Sequence, residues 1–445
     1  MPMTRTSLVA WLRACVYPVL ALAVFAVVTG PFLRKADSQF DNVYLRAAHR
    51  LQTGEDIYPL RDGYLYPPLM AWMSIPLAQT PQSVARCIWL AINLAGLAFL
   101  WTACWRLAGG NRLSDESDWR EHLACWIGLA IAFRFGLDCL QNQQTDILIA
   151  ALVVAGIALL QATSRLSGDL GVFLASTCFG LAAGMKCTAL LFAPYLLYRG
   201  RWLAALWLAF LAIGLNLLPN LTSEPDSGGW WLGEWVHRYL SVLGRSDHSP
   251  GVWGSAVTLN QSWSGALYRW FATSWTWDAA GFQVISRNNA PTPTTLKWIT
   301  YGSEAALVLL FAVLMGPRRL LPTDRGRFSL ECSIIMLLMV LLSPMSSKPH
   351  FVVLLLPAWL LARSAVRTLD PVLLVTLAAS FACATLTIKD LATPNLASLG
   401  MWYGGVTWST VFLLLGCGWK MIRDQREARM EISDRPFTEL TRQAA

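Results

Sequence analysis

Residues 34–81 read RKADSQFDNVYLRAAHRLQTGEDIYPLRDGYLYPPLMAWMSIPLAQTP, and the way this stretch is read settles how the rest of the chain is threaded. It follows directly on an apolar run over 14–33 and is the most polar long segment near the N-terminus. Phe40, Val43, Ala47 and Leu51 recur at helical spacing and leave Arg46, His49 and Arg50 on the other side. That pattern predicts a short amphipathic helix lying on a membrane surface. Tyr66-Pro67-Pro68 then opens a run to Ala78 that contains a third proline, Pro76, and is too short to span. It is expected to be re-entrant or interfacial, because irregular backbone at membrane depth needs protein or water around it. A full crossing here would also invert every loop that follows.

Working outward, composition sets the class. The chain has 445 residues, 55% of them hydrophobic and only 14% charged, against roughly 25% charged in soluble domains. This predicts an all-α polytopic membrane protein, single-domain over 1–419, with a charged tail at 420–445. Spans are expected near 14–33, 87–107, 122–138, 146–163, 170–185, 187–198, 202–219, 297–315, 328–343, 351–363, 371–388 and 402–419, about twelve in all. The first run ends in Thr29-Gly30-Pro31 without a small-residue cleavage pattern, so it reads as an uncleaved span.

The net charge of +8 comes from Lys and Arg in short clusters between apolar runs, which is a topology signal and not a nucleic-acid footprint. With the N-terminus inside, Arg106, Arg112, Arg120, Arg165, Arg199, Arg201, Arg318, Arg319, Arg325, Arg327, Arg363 and Arg367 and the tail from Lys420 all fall in cytoplasmic loops. The loop 34–86, the turn 141–145, the corner at Lys186, the long loop 220–296 and the turn 343–350 then share the opposite face. Both termini are therefore expected in the cytoplasm of a plasma or bacterial inner membrane, with the polar features outside. The 22 Trp fit interfacial belts or core packing. The ten Cys lie mostly in apolar runs and form neither a metal spacing nor a disulfide framework.

The outer face holds the candidate chemistry. Asp41, in the first turn of the amphipathic helix, reads either as a proton acceptor for a hydroxyl group or as the acid of a Ser38-x-x-Asp41 capping box. Asp37 reads as an N-cap or as a second acid. Arg134 and Asp138, four residues apart, read as a structural pair. Lys186 and Lys348 either reach the interface or hold an anionic ligand, for which a lipid phosphate fits the location. His350 reads as a phosphate donor or as a polar helix end. Trp230, Trp231, Trp235, Trp253 and Trp263 in the long loop serve a sugar ring or anchor the loop. Asn220-Leu221-Thr222 and Asn260-Gln261-Ser262 also match the short glycosylation acceptor pattern. Neither a Gly-rich phosphate loop nor HExxH nor a nucleophile elbow occurs, which argues against nucleotide-driven chemistry.

These residues resemble the signature of glycosyltransferase family 87, within the GT-C superfamily. DNVYLRAAHRLQTGEDIYPL followed by YLYPPLMAWMSIPLAQTP is similar to its Asp-x-x-x-Tyr, Gly-x-x-x-Tyr and Tyr-Pro-Pro-Leu elements. Gln143–Leu148, Gly184–Thr188, Asn260–Arg269 and Leu342–His350 resemble four further segments in order, from about residue 37 to 360. Gln143 stands where the family has Gly, Asp146 where it has Asn, and Ser347-Lys348-Pro349-His350 where it has Trp-His-His. The resemblance implies a GT-C-type fold and an inverting transfer of a sugar, mannose above all, from a polyprenyl-phosphate donor to a lipid or glycan acceptor. It implies Asp41 and His350 as catalytic groups, with Lys186, Arg269 and Lys348 on the donor phosphate. Asp37, Tyr44, Tyr66, Gln144, Asn260 and Gln261 are expected around sugar and acceptor. The lipid-linked sugar is a co-substrate, and neither a metal, another cofactor nor a nucleic-acid partner is expected. A lipid-linked-sugar flippase, or a non-catalytic subunit of an envelope-glycan assembly complex, is the rival reading.

Overall fold

The apolar runs fold as helices, since in a hydrocarbon environment only a helix or a closed barrel satisfies every backbone group within its own structure. The computed structural model describes residues 38–59, 63–111, 118–162, 168–245, 257–278, 281–316 and 324–433, with residues 30 and 250. Among these residues six helices are long and apolar enough to cross a membrane: Gln82–Leu107, Trp119–Asn142, Trp202–Leu221, Pro293–Met315, Lys348–Thr368 and Gly405–Met430. The expected run 14–33 lies outside the described residues, as does the tail after Ser433. The other expected runs coincide with helices, but Asp146–Gln161 and Pro371–Thr385, at 16 and 15 residues, extend only about 23 Å against a hydrocarbon core of about 30 Å.

Helix starts follow local chemistry. Asp370 accepts from the N–H groups of Val372 and Leu373, Thr292 from Thr295 and Thr393 from Leu396, and a proline follows each cap. Lys348–Thr368 is the central helix, almost wholly buried, whereas Pro293–Met315 is largely exposed at the periphery. The central helix meets Trp119–Asn142 where Trp359 lies over Gly128 and donates to the Cys125 carbonyl at 2.9 Å. A Cβ at Gly128 would fall 2.2 Å from the Trp359 ring, so this crossing requires glycine.

Several arginines expected in cytoplasmic loops are clamps between helices. Arg199 and Glu331, both fully buried, pair at 2.6 Å, and Arg327 adds a second guanidinium at 3.1 Å. Arg363 and Arg367 share Glu121 in the same manner.

The loop 34–86 differs from expectation. Phe40–Leu45 winds as one π-type turn, with the Arg46 N–H reaching the Asp41 carbonyl, and continues as the helix Arg46–Thr53. Its stripe of Phe40, Ala47 and Leu51 is buried in the protein, not laid on lipid. The reason is aromatic: Phe40 stacks on Trp89 at 5.1 Å, and Tyr44 meets Tyr66 edge-on at 5.2 Å. The Tyr-Pro-Pro run forms the 11-residue helix Pro68–Ala78. Asn216 fixes its start by accepting from the Leu69 N–H at 2.8 Å while donating to the Gly184 carbonyl at 2.9 Å. The Tyr66 segment is thereby held beside the corner that carries Lys186.

Among the described residues of the long loop 220–296 the all-helical expectation has one exception. Thr273–Asp278 and Gly281–Ser286 form an antiparallel hairpin with Trp275 opposite Val284.

Candidate active site

Two breaks in helix geometry create the site. Gln143 adopts a left-handed conformation, φ 55°, and ends Trp119–Asn142 in a buried turn, so that Asp146 opens the next helix inside the protein. Lys186, in extended backbone, separates the helix Gly168–Met185 from a tight 3-10 turn at Cys187–Leu191. The two side chains meet, with Lys186 Nζ 2.7 Å from Asp146 Oδ1, in surroundings that leave them 14% and 5% exposed. At that depth desolvation opposes both charges, and their mutual attraction offsets it.

His350 approaches the other carboxylate oxygen, with Nε2 3.8 Å from Asp146 Oδ2. Its Nδ1 accepts the Ser347 N–H at 3.2 Å, so the proton of the neutral ring sits on Nε2, which has the Ser347 hydroxyl at 3.4 Å and Asp146 just beyond. Asp146 Oδ2 and Gln144 Oε1 are buried without a hydrogen-bond partner among the described residues. Tyr44 donates to the Tyr66 hydroxyl at 2.9 Å, and Lys186 Nζ lies 5.6 Å from the Tyr66 ring centre. Burial, with Tyr66 and Asp146 nearby, raises the Tyr44 phenol well above its ordinary value, so it stays a neutral donor.

Lys186 and Tyr66 line a cavity of about 430 Å³ whose walls are otherwise mostly apolar, among them Leu190, Leu191, Met339 and Leu342. Its volume falls within the roughly 300–1,000 Å³ of small-molecule sites. Trp235 and Tyr239 from the long loop and Ser343, Pro344 and Met345 also line it.

Asp41 sits one turn before Tyr44. Arg86 donates to Asp41 Oδ2 from Nε at 3.0 Å and from Nη2 at 2.5 Å, and the Ser38 hydroxyl bonds the same oxygen. Ser38 Oγ also accepts the Asp41 N–H at 3.0 Å, so the cap interaction is present alongside the ion pair. Burial pushes the Asp41 carboxyl up, but the hydrogen bonds from Arg86, Ser38 and Gln82 and the Arg86 charge outweigh it and leave the group below its ordinary value. Asp37 lies outside the described residues.

Tyr44, Tyr66, Lys186 and His350 are therefore gathered around one carboxylate, with Gln144 in the adjoining turn. The remaining expected residues are not. Arg269 is fully buried, and its guanidinium donates to the carbonyls of Trp402 at 2.9 Å, Val257 at 3.2 Å and Asn260 at 2.5 Å. Nε and Nη1 are so engaged, while Nη2 is buried without a hydrogen-bond partner among the described residues. Lys348 Nζ likewise donates to the Thr387 carbonyl at 2.5 Å. Asn260 and Gln261 tie loop segments together: Gln261 N–H reaches the Ser346 carbonyl at 2.6 Å, and Asn260 Nδ2 the Pro344 carbonyl at 3.2 Å.

Sequence reasoning singled out neither Arg86 nor Asp146 as a site residue. Asp146 carried a signal, an acid at the entrance of a long apolar run, where charge is costly unless it is used. Arg86 carried none, since 45 residues separate it from Asp41.

The model of glycosyltransferase family 87 matches residues 64–344, a segment that includes Tyr66, Gln144, Asp146, Lys186, Asn260, Gln261 and Arg269. Asp41 and His350 flank it on either side. No curated protein and no solved structure matches the chain.

Proposed function

The chain belongs to glycosyltransferase family 87, and we propose that it moves a sugar, mannose in the first instance, from a polyprenyl-phosphate donor to a hydroxyl of a lipid or glycan acceptor. The observation that carries the donor class is the mostly apolar cavity with Lys186 in its lining. A long apolar chain fits its Leu, Pro and Met walls, and a phosphate at the end of that chain meets the ammonium group. A sugar nucleotide has no apolar chain to place there.

The chemistry is a single displacement with inversion. The acceptor oxygen bonds to the anomeric carbon as the bond from that carbon to the phosphate oxygen breaks, and polyprenyl phosphate leaves with the electron pair. The acceptor proton passes to Asp41, which Arg86 keeps ionised. Lys186 and the Nε2–H of His350 stabilise the charge that develops on the phosphate. Asp146 is their positioning residue: it holds Lys186 in place and faces His350. Asn260, Gln261 and Arg269 act at one remove by fixing the 343–346 wall. In this reading both termini lie in the cytoplasm and the site on the outer face of the membrane, which the distribution of basic clusters supports.

The test is reconstitution in liposomes with radiolabelled polyprenyl-phosphate mannose and octyl α-mannoside as acceptor. Labelled disaccharide is expected from the lipid donor and none from the nucleotide sugar. Transfer from the nucleotide sugar alone overturns the proposal.

A further inference from the structure

We propose that a second cavity, walled by Trp270, Trp275, Trp402 and Trp408, is a carbohydrate subsite that receives the sugar chain of the acceptor. The proposal rests on the glycosyltransferase reading above and adds where the acceptor lies. The cavity has about 420 Å³ and is lined by different residues from those of the donor cavity.

Its walls are fixed. Trp270 and Trp408 stack at 5.4 Å with 18° between their planes. Trp270 Nε1 donates to the Tyr403 carbonyl at 3.2 Å, and Trp402 Nε1 to Thr273 Oγ1 at 3.1 Å. Trp275 is set by the hairpin register and stacks on Phe282. Gly404, φ 77°, turns the chain between Trp402 and Trp408; a Cβ there would lie 3.2 Å from that of Ala266. Indoles so immobilised offer flat faces at little entropic cost.

Its rim keeps hydrogen-bonding groups unused. Arg287 has its backbone N–H on the Ala272 carbonyl at 3.0 Å, yet its exposed guanidinium has no partner among the described residues. The Ser274 and Tyr403 hydroxyls, which also line the cavity, are equally unengaged among those residues. Interfacial anchoring accounts for single indoles, but not for aromatic walls joined to a rim of free donors. A sugar ring uses both, stacking one face and bonding its hydroxyls at the edge. The donor cavity, with its aliphatic lining, is the contrasting case.

One cluster ties the two cavities. Gln261 Nε2 donates to the Met401 carbonyl at 2.8 Å and its Oε1 accepts the Val406 N–H at 3.3 Å, while its own N–H holds Ser346 beside the donor wall. Arg269 clamps Trp402. A sugar chain held against Trp402 and Trp408 is thus placed in fixed relation to the donor.

The experiment is calorimetry of the full chain in nanodiscs, without donor, titrated with mannotriose and maltotriose. At least one trisaccharide binds, and Trp275→Ala or Arg287→Ala weakens it by about tenfold. Trp277→Ala, on the same hairpin but outside the cavity lining, leaves affinity within about twofold. In the transfer assay Trp275→Ala raises KM for octyl α-mannoside and leaves kcat unchanged. No heat with either trisaccharide on folded protein overturns the proposal, and so does equal weakening by Trp277→Ala. Protection of the cavity indoles by phospholipid chains alone, read by brominated-lipid quenching, also overturns it. Trisaccharide binding without transfer from the lipid donor would sink the proposed function and leave the subsite standing.

Discussion

Lys186→Met separates two roles that the structure assigns to one ammonium group. In the wild type Lys186 balances Asp146 at 2.7 Å with the carboxylate only 5% exposed. Removing one partner of such a buried pair costs about 3–5 kcal/mol, because the other charge is left without compensation. Lys186→Met is therefore expected to lower the unfolding transition in detergent markedly. Combining it with Asp146→Leu removes both charges and restores most of the loss. Donor binding behaves differently. A hydrogen bond to a charged group contributes about 1.5–3 kcal/mol, so both the single and the double variant bind polyprenyl phosphate about ten- to a hundredfold more weakly. The assays are thermal unfolding followed by light scattering and displacement of a fluorescent polyprenyl phosphate. A stable double variant with wild-type donor affinity would refute the placement of phosphate at Lys186. A single variant as stable as wild type would refute the buried pair itself.

Asp41→Asn is expected to slow transfer by about 10²–10⁴-fold with donor displacement unchanged; retained transfer rules it out as the base. Because its carboxyl is held below the ordinary range, its ionised form is favoured in the fold, so this contribution to stability is complete above pH of about 4 and falls away below that. From pH 5 to 8 it gives no slope in either stability or rate, and a rate transition in that window that disappears in Asp41→Asn would contradict the assignment. Glu331→Gln leaves the fully buried Arg199 without its counter-charge and should cost about 3–5 kcal/mol, with Arg199→Met as second-site rescue. Transfer per folded molecule should not change in either.

The positions of the helices were legible because apolar runs, proline starts and side-chain caps are local signals, each spanning a few residues. Asp370 followed by Pro371 announces a helix with no knowledge of its neighbours. The short helices were harder, since run length alone does not reveal that Gln143 turns left-handed or that Lys186 breaks the helix inside the protein. The stripe Phe40, Val43, Ala47 and Leu51 identified a helix but not its partner. An apolar face reads the same whether lipid or Trp89 covers it. Part of the candidate site was legible as residues singled out one by one: Tyr44, Tyr66, Lys186 and His350 lie around Asp146. Charge partners were not legible. Nothing in the sequence tells that Arg269 Nε bonds the Trp402 carbonyl or that Lys348 bonds the Thr387 carbonyl. Asp146 and Arg86 owe their parts to contacts across 40 and 45 residues.

The central claim, a lipid-phosphate donor seated in the apolar cavity beside Lys186, is tested most directly by photolabelling. A polyprenyl-phosphate mannose with a diazirine on its second isoprene unit is bound to the reconstituted protein and irradiated, and the adducts are mapped by mass spectrometry. Adducts on Leu190, Leu191, Met339 and Leu342, competed away by unlabelled polyprenyl phosphate, are the predicted result. Adducts confined to the exposed faces of Pro293–Met315 and other peripheral helices, insensitive to that competitor, would contradict it.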